Sequence, residues 1–516
     1  MPIKRPTLLN TTALAVLLVV APRCRPSGQA DRSATWRTNI VAFDEEIQSL
    51  QSALAIPGLA YAIVENGKTI ATTSFGVEQG SGGRSFATST PLRIASVTKT
   101  VTAVVALQLV EEGKLDLDAP ARRYAPSLRL PDDVLIRHLL THTSEGHIGV
   151  EYVYGTTRYA MLEEVIGAIL GESFETIIRE RILERARMQV HPSPGLGAHA
   201  GLVSTTDDIA AYLAALDRGE LLRPASLAQL ESPSRSAAGT QLPVSLGWFT
   251  QTVQGQQIVW SFGQDDPEHS GALLVRIPAR NLSLFVLGIA NVLSDPFRLL
   301  MGDGSKSLFA MSFLRLFAFS APGRPLPMLR ADHPAIEQHL ADLEVGTTYR
   351  YRDELFGWTL IDLWNDRGAA AQRKHDIART RYRDDTLDPV MHFAALRLSD
   401  VHSKDKALQE GTRLLEAHPM NRWVLLAQGY LFQQRGRMAE GSKCFEGILE
   451  LPNQEPDFLR RLFRAWSWMA LAQMSAQRDA EKARAYLREI IASGVTGGLL
   501  EDARRMLDDL GRRSPQ

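Results

Sequence analysis

The sequence predicts an α+β domain followed by an all-α domain, and three observations carry that reading. Strand signals cluster at both ends of the first 323 residues, helical patterns fill the middle, and strand signals almost vanish beyond a run rich in Pro and Arg that begins at Arg324. Helix, hairpin, helical middle and strand meander make an α+β layout, in which the first hairpin can join the later strands in one sheet.

The chain has 516 residues, more than one domain usually holds, with 45% hydrophobic and 22% charged residues. Those proportions are ordinary for globular proteins and allow sizeable cores. A net charge of −1 gives no global attraction for nucleic acid or an anionic membrane. Lys4 and Arg5 precede a mostly apolar stretch from Leu8 to Ala21, and Gly28 and Ala30 fit the small positions of a cleavage site. Residues 1–30 read as an export signal, too short and interrupted for a transmembrane span. The expectation is a periplasmic or secreted protein with no integral membrane domain after cleavage; an uncleaved anchor is the alternative. Arg23 is a poor neighbour for lipid attachment at Cys24. If cleavage follows Ala30, only Cys444 remains and no intrachain disulfide can form. Cys444 lies on an apolar helical face and reads as core. No Cys/His cluster has zinc-ligand spacing, so neither a metal nor a cofactor is predicted.

Along residues 31–323, a helix is expected over 38–54, then strands 59–64 and 69–75. Asn66-Gly67 between them suits a type I′ turn, whose two central residues need positive φ. Helices are expected over 98–112, 158–170 and 207–216, with Gly113 and Gly171 at C-cap positions. Ser204 stands three residues before Asp207, as in an N-terminal capping pattern. Strands follow over 247–253, 257–260, 272–277 and 282–287. Residues 324–345 read as a linker and 346–516 as a helical domain. Gly429, Phe432, Gly436, Gly441, Phe445 and Ile448 recur at intervals of 3, 4, 5, 4 and 3, and Pro452 ends the segment. That pattern resembles a tetratricopeptide repeat, with weaker copies at 407–419 and 483–490. An ordinary helical bundle is the alternative. Repeats of this kind would offer a docking surface to a protein partner.

The chemistry-bearing segment is Ile94-Ala95-Ser96-Val97-Thr98-Lys99-Thr100. Ser96 stands where an apolar helical pattern begins, and Lys99 follows three positions later on the same face. A serine hydroxyl is a poor nucleophile until a neighbour takes its proton, and an amine in a dry pocket can do so. Backbone N–H groups at a helix start can meet a developing oxyanion. Spacing alone favours a capping serine with a solvated lysine, and only the surroundings reverse that reading.

The surroundings add more. Thr90-Pro91-Leu92-Arg93 precedes Ser96; Glu112-Gly113-Lys114-Leu115-Asp116-Leu117-Asp118-Ala119-Pro120 and Leu139-Leu140-Thr141-His142-Thr143-Ser144 follow it. This ordered series resembles the serine β-lactamase-related family, nearest its class C branch, over roughly residues 40–320. The resemblance implies a β-lactamase/transpeptidase-like domain, an antiparallel sheet with a helical subdomain. It implies Ser96 as nucleophile, Lys99 as its basic partner, and Tyr154 as the phenol that shares proton transfer. The family's second motif is Tyr-x-Asn. Here Thr156 stands in place of the asparagine, which puts that substrate contact in doubt. The third motif is Lys or His, any residue, then Gly. Its best fit is Ser261-Phe262-Gly263, with Ser261 replacing the cation. The N–H groups of Ser96 and Gln264 would then form the oxyanion hole. A charge-assisted hydrogen bond lost at Ser261 is worth roughly 1.5–3 kcal/mol, about one to two powers of ten in rate or binding. His269-Ser270-Gly271 is the competing placement; in the favoured one, His269 is expected to approach the site from a nearby loop. Asp265 and Asp266 add negative charge that disfavours carboxylate-bearing substrates. His142 is expected to make a structural loop hydrogen bond.

These residues point to acyl transfer on a small-molecule or peptide substrate, an ester or amide more than a β-lactam. A catalytically degenerate binding protein and a scaffold led by its helical region are the alternatives.

Overall fold

The computed structural model describes residues 32–78, 82–145, 147–150, 152, 154–189, 195–265, 270–297, 299, 302–365, 367–382, 408–409, 411–413, 415–416, 422–451, 457–495 and 498–512. The expected export signal and His269 lie outside the described residues. Among the described residues, no helix is long and apolar enough to cross a membrane.

Helix α1 (Arg32–Ala53) leads into β1 (Gly58–Glu65) and β2 (Lys68–Gly76). Asn66 and Gly67 both take positive φ, 49° and 76°, as the turn requires. A short strand β3 (Leu92–Arg93) precedes α2 (Thr98–Glu111) and pairs with β4 (Val203–Ser204). The late strands are β5 (Phe249–Val253), β6 (Gln256–Asp265), β7 (Ser270–Ile277) and β8 (Leu282–Gly288). One six-stranded sheet runs β2-β1-β8-β7-β6-β5, and every pair is antiparallel. The first hairpin therefore does join the late meander, through β1 against β8.

Both faces of this sheet are covered, which is why its inner strands read as unbroken apolar runs. Side chains alternate between two cores. Ala62, Val64, Leu274, Phe285 and Leu287 pack with α2 and the helices of residues 162–216. Tyr61, Ile63, Val275, Leu284 and Val286 pack with α1 and with residues 308–318. This second core runs on past the first domain as read from the sequence. Leu329, Ile336, Leu340, Leu355 and Ile361 all belong to it. The stretch expected as a linker carries the helix Ile336–Leu343, and the helices Arg352–Trp364 and Gly368–Arg381 pack with it on this second core of the sheet. A Pro-rich run without periodicity looked like a spacer; isolated Leu and Ile side chains in it fill the sheet's outer face instead.

Buried ion networks tie these layers. Arg315, 1% exposed, donates to Glu46 of α1 and to Glu354 of the helix Arg352–Trp364, the latter at 3.0 Å. On the other face, Arg276 of β7 pairs with Asp217 at 2.5 Å and with Glu231.

The remaining helices, Arg422–Gln434, Met438–Glu450, Asp457–Ser475, Ala480–Ala492 and Gly498–Arg512, each pack on the next in sequence. Gly436 takes φ 70° in the turn of the first pair. A Cβ on Gly429 would lie 2.7 Å from the Phe445 ring, so the glycine permits close packing there. Phe445 and Ile448 are fully buried, and burial pushes the Cys444 thiol up to about 11. The expected copy at 483–490 falls in the helix Ala480–Ala492, with Ala483, Leu487 and Ile490 buried; the copy at 407–419 lies only partly within the described residues.

Replacing Arg276 by Leu would leave Asp217 and Glu231 buried without their cation. We expect Arg276→Leu to lower unfolding free energy by about 3–5 kcal/mol, measured by chemical denaturation.

Candidate active site

The chain enters the site through a strained turn. Ala95, directly before Ser96, takes φ 44°, a left-handed conformation that costs a non-glycine residue free energy and persists where the surroundings enforce it. A 3-10 turn over Ala95–Val97 then feeds α2. Ser96 is half-buried at this turn, and Lys99, 2% exposed, lies one turn on. Lys99 Nζ donates to Ser96 Oγ at 2.8 Å and to the carbonyl of His199 at 2.9 Å.

Residues 198–202 are strapped along the start of α2. Thr102 Oγ1 donates to the Ala198 carbonyl at 2.7 Å, the Leu202 amide donates to Thr98 Oγ1 at 3.3 Å, and the Ile94 amide donates to the Leu202 carbonyl at 3.0 Å. Sequence reasoning used this segment only for a helix cap, and placed that cap one residue early. Thr205, not Ser204, caps the helix Thr206–Asp217, its side chain accepting from the Asp208 amide. The role of His199 was missed because it acts through a backbone carbonyl, which any residue supplies. The run of small residues Ala198, Ala200 and Gly201 around it was the available signal.

Aromatic rings cover the other side of the amine. Lys99 Nζ stands 5.1 Å from the Tyr154 ring centroid and 5.7 Å from that of Tyr159. The Tyr159 hydroxyl donates to the Lys99 carbonyl at 2.9 Å. Sequence reasoning gave Tyr159 no role. Thr156 is exposed, as the first residue of the helix Thr156–Ala160. His142 does make the expected loop hydrogen bond: its Nδ1 accepts from the Gly155 amide at 3.3 Å. Burial, reinforced by the nearby Lys99 ammonium, pushes the His142 imidazole down to about 3. Burial and Lys99 lower His199 as well.

Strand β6 runs beside the Ser96 turn. Ser261, 4% exposed, follows Val259 on the sheet face that packs with α2. Gly263 lies on the same face, and a Cβ there would stand 2.1 Å from the Ile94 carbonyl oxygen. A Cβ on Gly271, in the competing motif, would instead meet the Ala290 carbonyl at 2.5 Å. The close approach to the Ser96 turn thus falls at Ser261-Phe262-Gly263. Gln264 is the last residue but one of β6; its side-chain Nε2 donates to Asp295 at 3.1 Å and its Oε1 accepts from the Ser294 hydroxyl at 3.2 Å. Asp265 faces Arg93 at 3.7 Å, which offsets the negative charge expected at this edge. Asp266 lies outside the described residues.

The rim reaches the C-terminal helices. Glu145 accepts from Arg158 at 3.2 Å and from Arg461 at 3.0 Å.

Two outcomes follow. Gly263→Ala forces the strand off the Ile94 carbonyl, and overpacking of this kind costs about 1–3 kcal/mol; we expect a lower melting temperature and slower modification of Ser96 by a phosphonate probe. For His142 the unfolded chain takes up a proton below about pH 6.5 that the folded chain refuses until about pH 3. Stability therefore falls as pH falls through that window. Melting curves from pH 7 to pH 4 should show a shallower decline in His142→Asn than in the parent.

Comparison with known proteins agrees with this architecture. Residues 43–295 match the family model described as Beta-lactamase. The chain is 39% identical over 93 residues to the esterase EstB of Burkholderia gladioli, spanning 17% of this chain and 24% of that one. It is 26% identical over 190 residues to the putative penicillin-binding protein PbpX of Bacillus subtilis, spanning 31% and 45%. Both alignments thus cover less than half of the relative. The octameric penicillin-binding protein homologue from Pyrococcus abyssi superposes with a TM-score of 0.47 at 19% identity, covering 59% of this chain and 81% of that one. Residues 43–295 of this chain form a domain of the serine β-lactamase-related family.

Proposed function

We propose that this domain is a serine hydrolase that passes an acyl group through Ser96, acting on an ester or amide. The observation that carries the reading is the 2.8 Å contact between Lys99 Nζ and Ser96 Oγ. With the amine neutral, that hydrogen bond reverses and the hydroxyl donates. The Ser96 proton then passes to Nζ as Oγ attacks the substrate carbonyl carbon. The carbonyl oxygen gains the charge and would be met by the Ser96 and Gln264 N–H groups. Collapse breaks the bond to the alcohol or amine, which leaves with a proton delivered by Lys99 or the neighbouring Tyr154. Water, activated by the same groups, releases the acid and restores the serine.

Ser261 and Asp265 favour an uncharged ester or small amide over a carboxylate-bearing β-lactam. Ser261 provides a hydroxyl where relatives carry a cation, and Asp265 stands one residue beyond Gln264 at that edge. The similarity to an esterase over 93 residues is in keeping with this preference. The expected export places such a reaction in the periplasm or outside the cell. Ser261 and Thr156 favour a second reading, a degenerate domain that binds a ligand while the helical region docks a protein.

The full-length protein should hydrolyse short-chain p-nitrophenyl esters and react poorly with nitrocefin, and Ser96→Ala should abolish both turnover and phosphonate labelling. Ser261→Lys should raise acylation by nitrocefin about 10–100-fold, the worth of one charge-assisted hydrogen bond. Failure of esters, D-Ala dipeptides, nitrocefin and phosphonates alike to react at Ser96 would favour the binding reading.

A further inference from the structure

We propose that His142 is a positioning residue for Tyr154, holding the phenol against Lys99 from a loop that touches neither the nucleophile nor a substrate. The proposal rests on the reading of Ser96, Lys99 and Tyr154 as the hydrolytic centre.

His142 is 4% exposed and takes φ 55°, a conformation rare for a residue with a side chain. Such a geometry survives only where neighbours over-determine it, and such sites cluster where function needs rigidity. Three contacts do the determining. The imidazole lies 4.6 Å from the Tyr154 ring, tilted by 35°. It stacks on Tyr159 at 5.2 Å and 30°. Its Nδ1 accepts from the amide of Gly155, the residue that follows Tyr154 in the chain. One imidazole therefore grips Tyr154 twice, by its ring and by the adjoining peptide. Tyr152 closes the edge of the cluster at 6.1 Å.

The two phenols that His142 separates are the two that face Lys99 Nζ, at 5.1 and 5.7 Å. Phe249 backs Tyr154 at 5.9 Å. Tyr154 itself lies in no helix or strand, so its ring position is not set by one of its own. The grip is chemical as well as steric. Accepting at Nδ1 leaves the proton of a neutral imidazole on Nε2. An imidazolium would lose that acceptor and would add a second cation beside Lys99. Among the described residues, the titratable groups against the ring are Lys99, Tyr152, Tyr154 and Tyr159, and none is a carboxylate that would stabilise the cation.

The test is a double-mutant cycle in the full-length protein. His142→Asn removes the ring but suits a positive φ. A misplacement near 1 Å can cost on the order of 100-fold in rate, so we expect kcat for a p-nitrophenyl ester to fall about 10–100-fold with KM within about 3-fold. In the Tyr154→Phe background the same substitution should cost less than about 3-fold, because its target is already gone. A stability defect alone would lower the active fraction equally in both backgrounds. If His142→Asn fails to fold, His142→Phe keeps the stack and removes only the acceptor for Gly155; its loss of kcat should likewise need Tyr154. Equal losses with and without the Tyr154 hydroxyl, or no loss at all, overturn the positioning role. Turnover that persists in Ser96→Ala overturns the hydrolytic centre itself, a separate outcome read from a separate variant.

Discussion

Burying an ammonium group is costly unless its donors are matched and its surroundings compensate. Lys99 meets this demand with a serine hydroxyl, a backbone carbonyl and two aromatic faces. Those four partners come from three parts of the chain: the turn at Ser96, the segment at His199, and the stretch 154–159 that carries both phenols. The first turn of α2 sets the amine three residues from the hydroxyl; everything else must be brought to it.

The sheet is what brings it. Strand β6 lies against the Ser96 turn only because Gly263 has no side chain to collide with the Ile94 carbonyl. Ser270 Oγ adds a pin by donating to the Arg93 carbonyl at 2.8 Å. The strain at Ala95 is held in place by this packing, with β6 on one side and residues 198–202 on the other. Behind the sheet, α1 and residues 308–381 close the second core, and the Arg315 network joins three helices across it. Helices beyond the family match are thus part of the scaffold that supports the site. The Glu145 link to Arg461 extends that contact to the C-terminal helices, although an ion pair of this exposure contributes little by itself.

Much of this was legible in advance where local chemistry decides. Asn66-Gly67 fixes its hairpin turn, and Ser96 with Lys99 shares a helical face by spacing alone. The six strands followed from apolar runs bounded by turns. Other features were opaque for definite reasons. The linker reading failed because an irregular Pro-rich run carries no periodic signal, and its buried Leu329 and Ile336 become meaningful only against a sheet that lies elsewhere in sequence. The helix expected over residues 158–170 divides after Ala160 into Thr156–Ala160 and Leu162–Leu170, a boundary shift that propensity does not resolve. His199 contributes a carbonyl, and a carbonyl leaves no mark on residue choice.

By itself the sequence determined the order of the main elements and the placing of Ser96 and Lys99 on one helical face, because each depends on neighbours within a few residues. Tertiary structure alone decided which groups surround the amine, that residues 336–381 belong to the first core, and that His142 stands between two phenols. Those outcomes depend on segments as much as 312 residues apart meeting, and no local pattern encodes such a meeting.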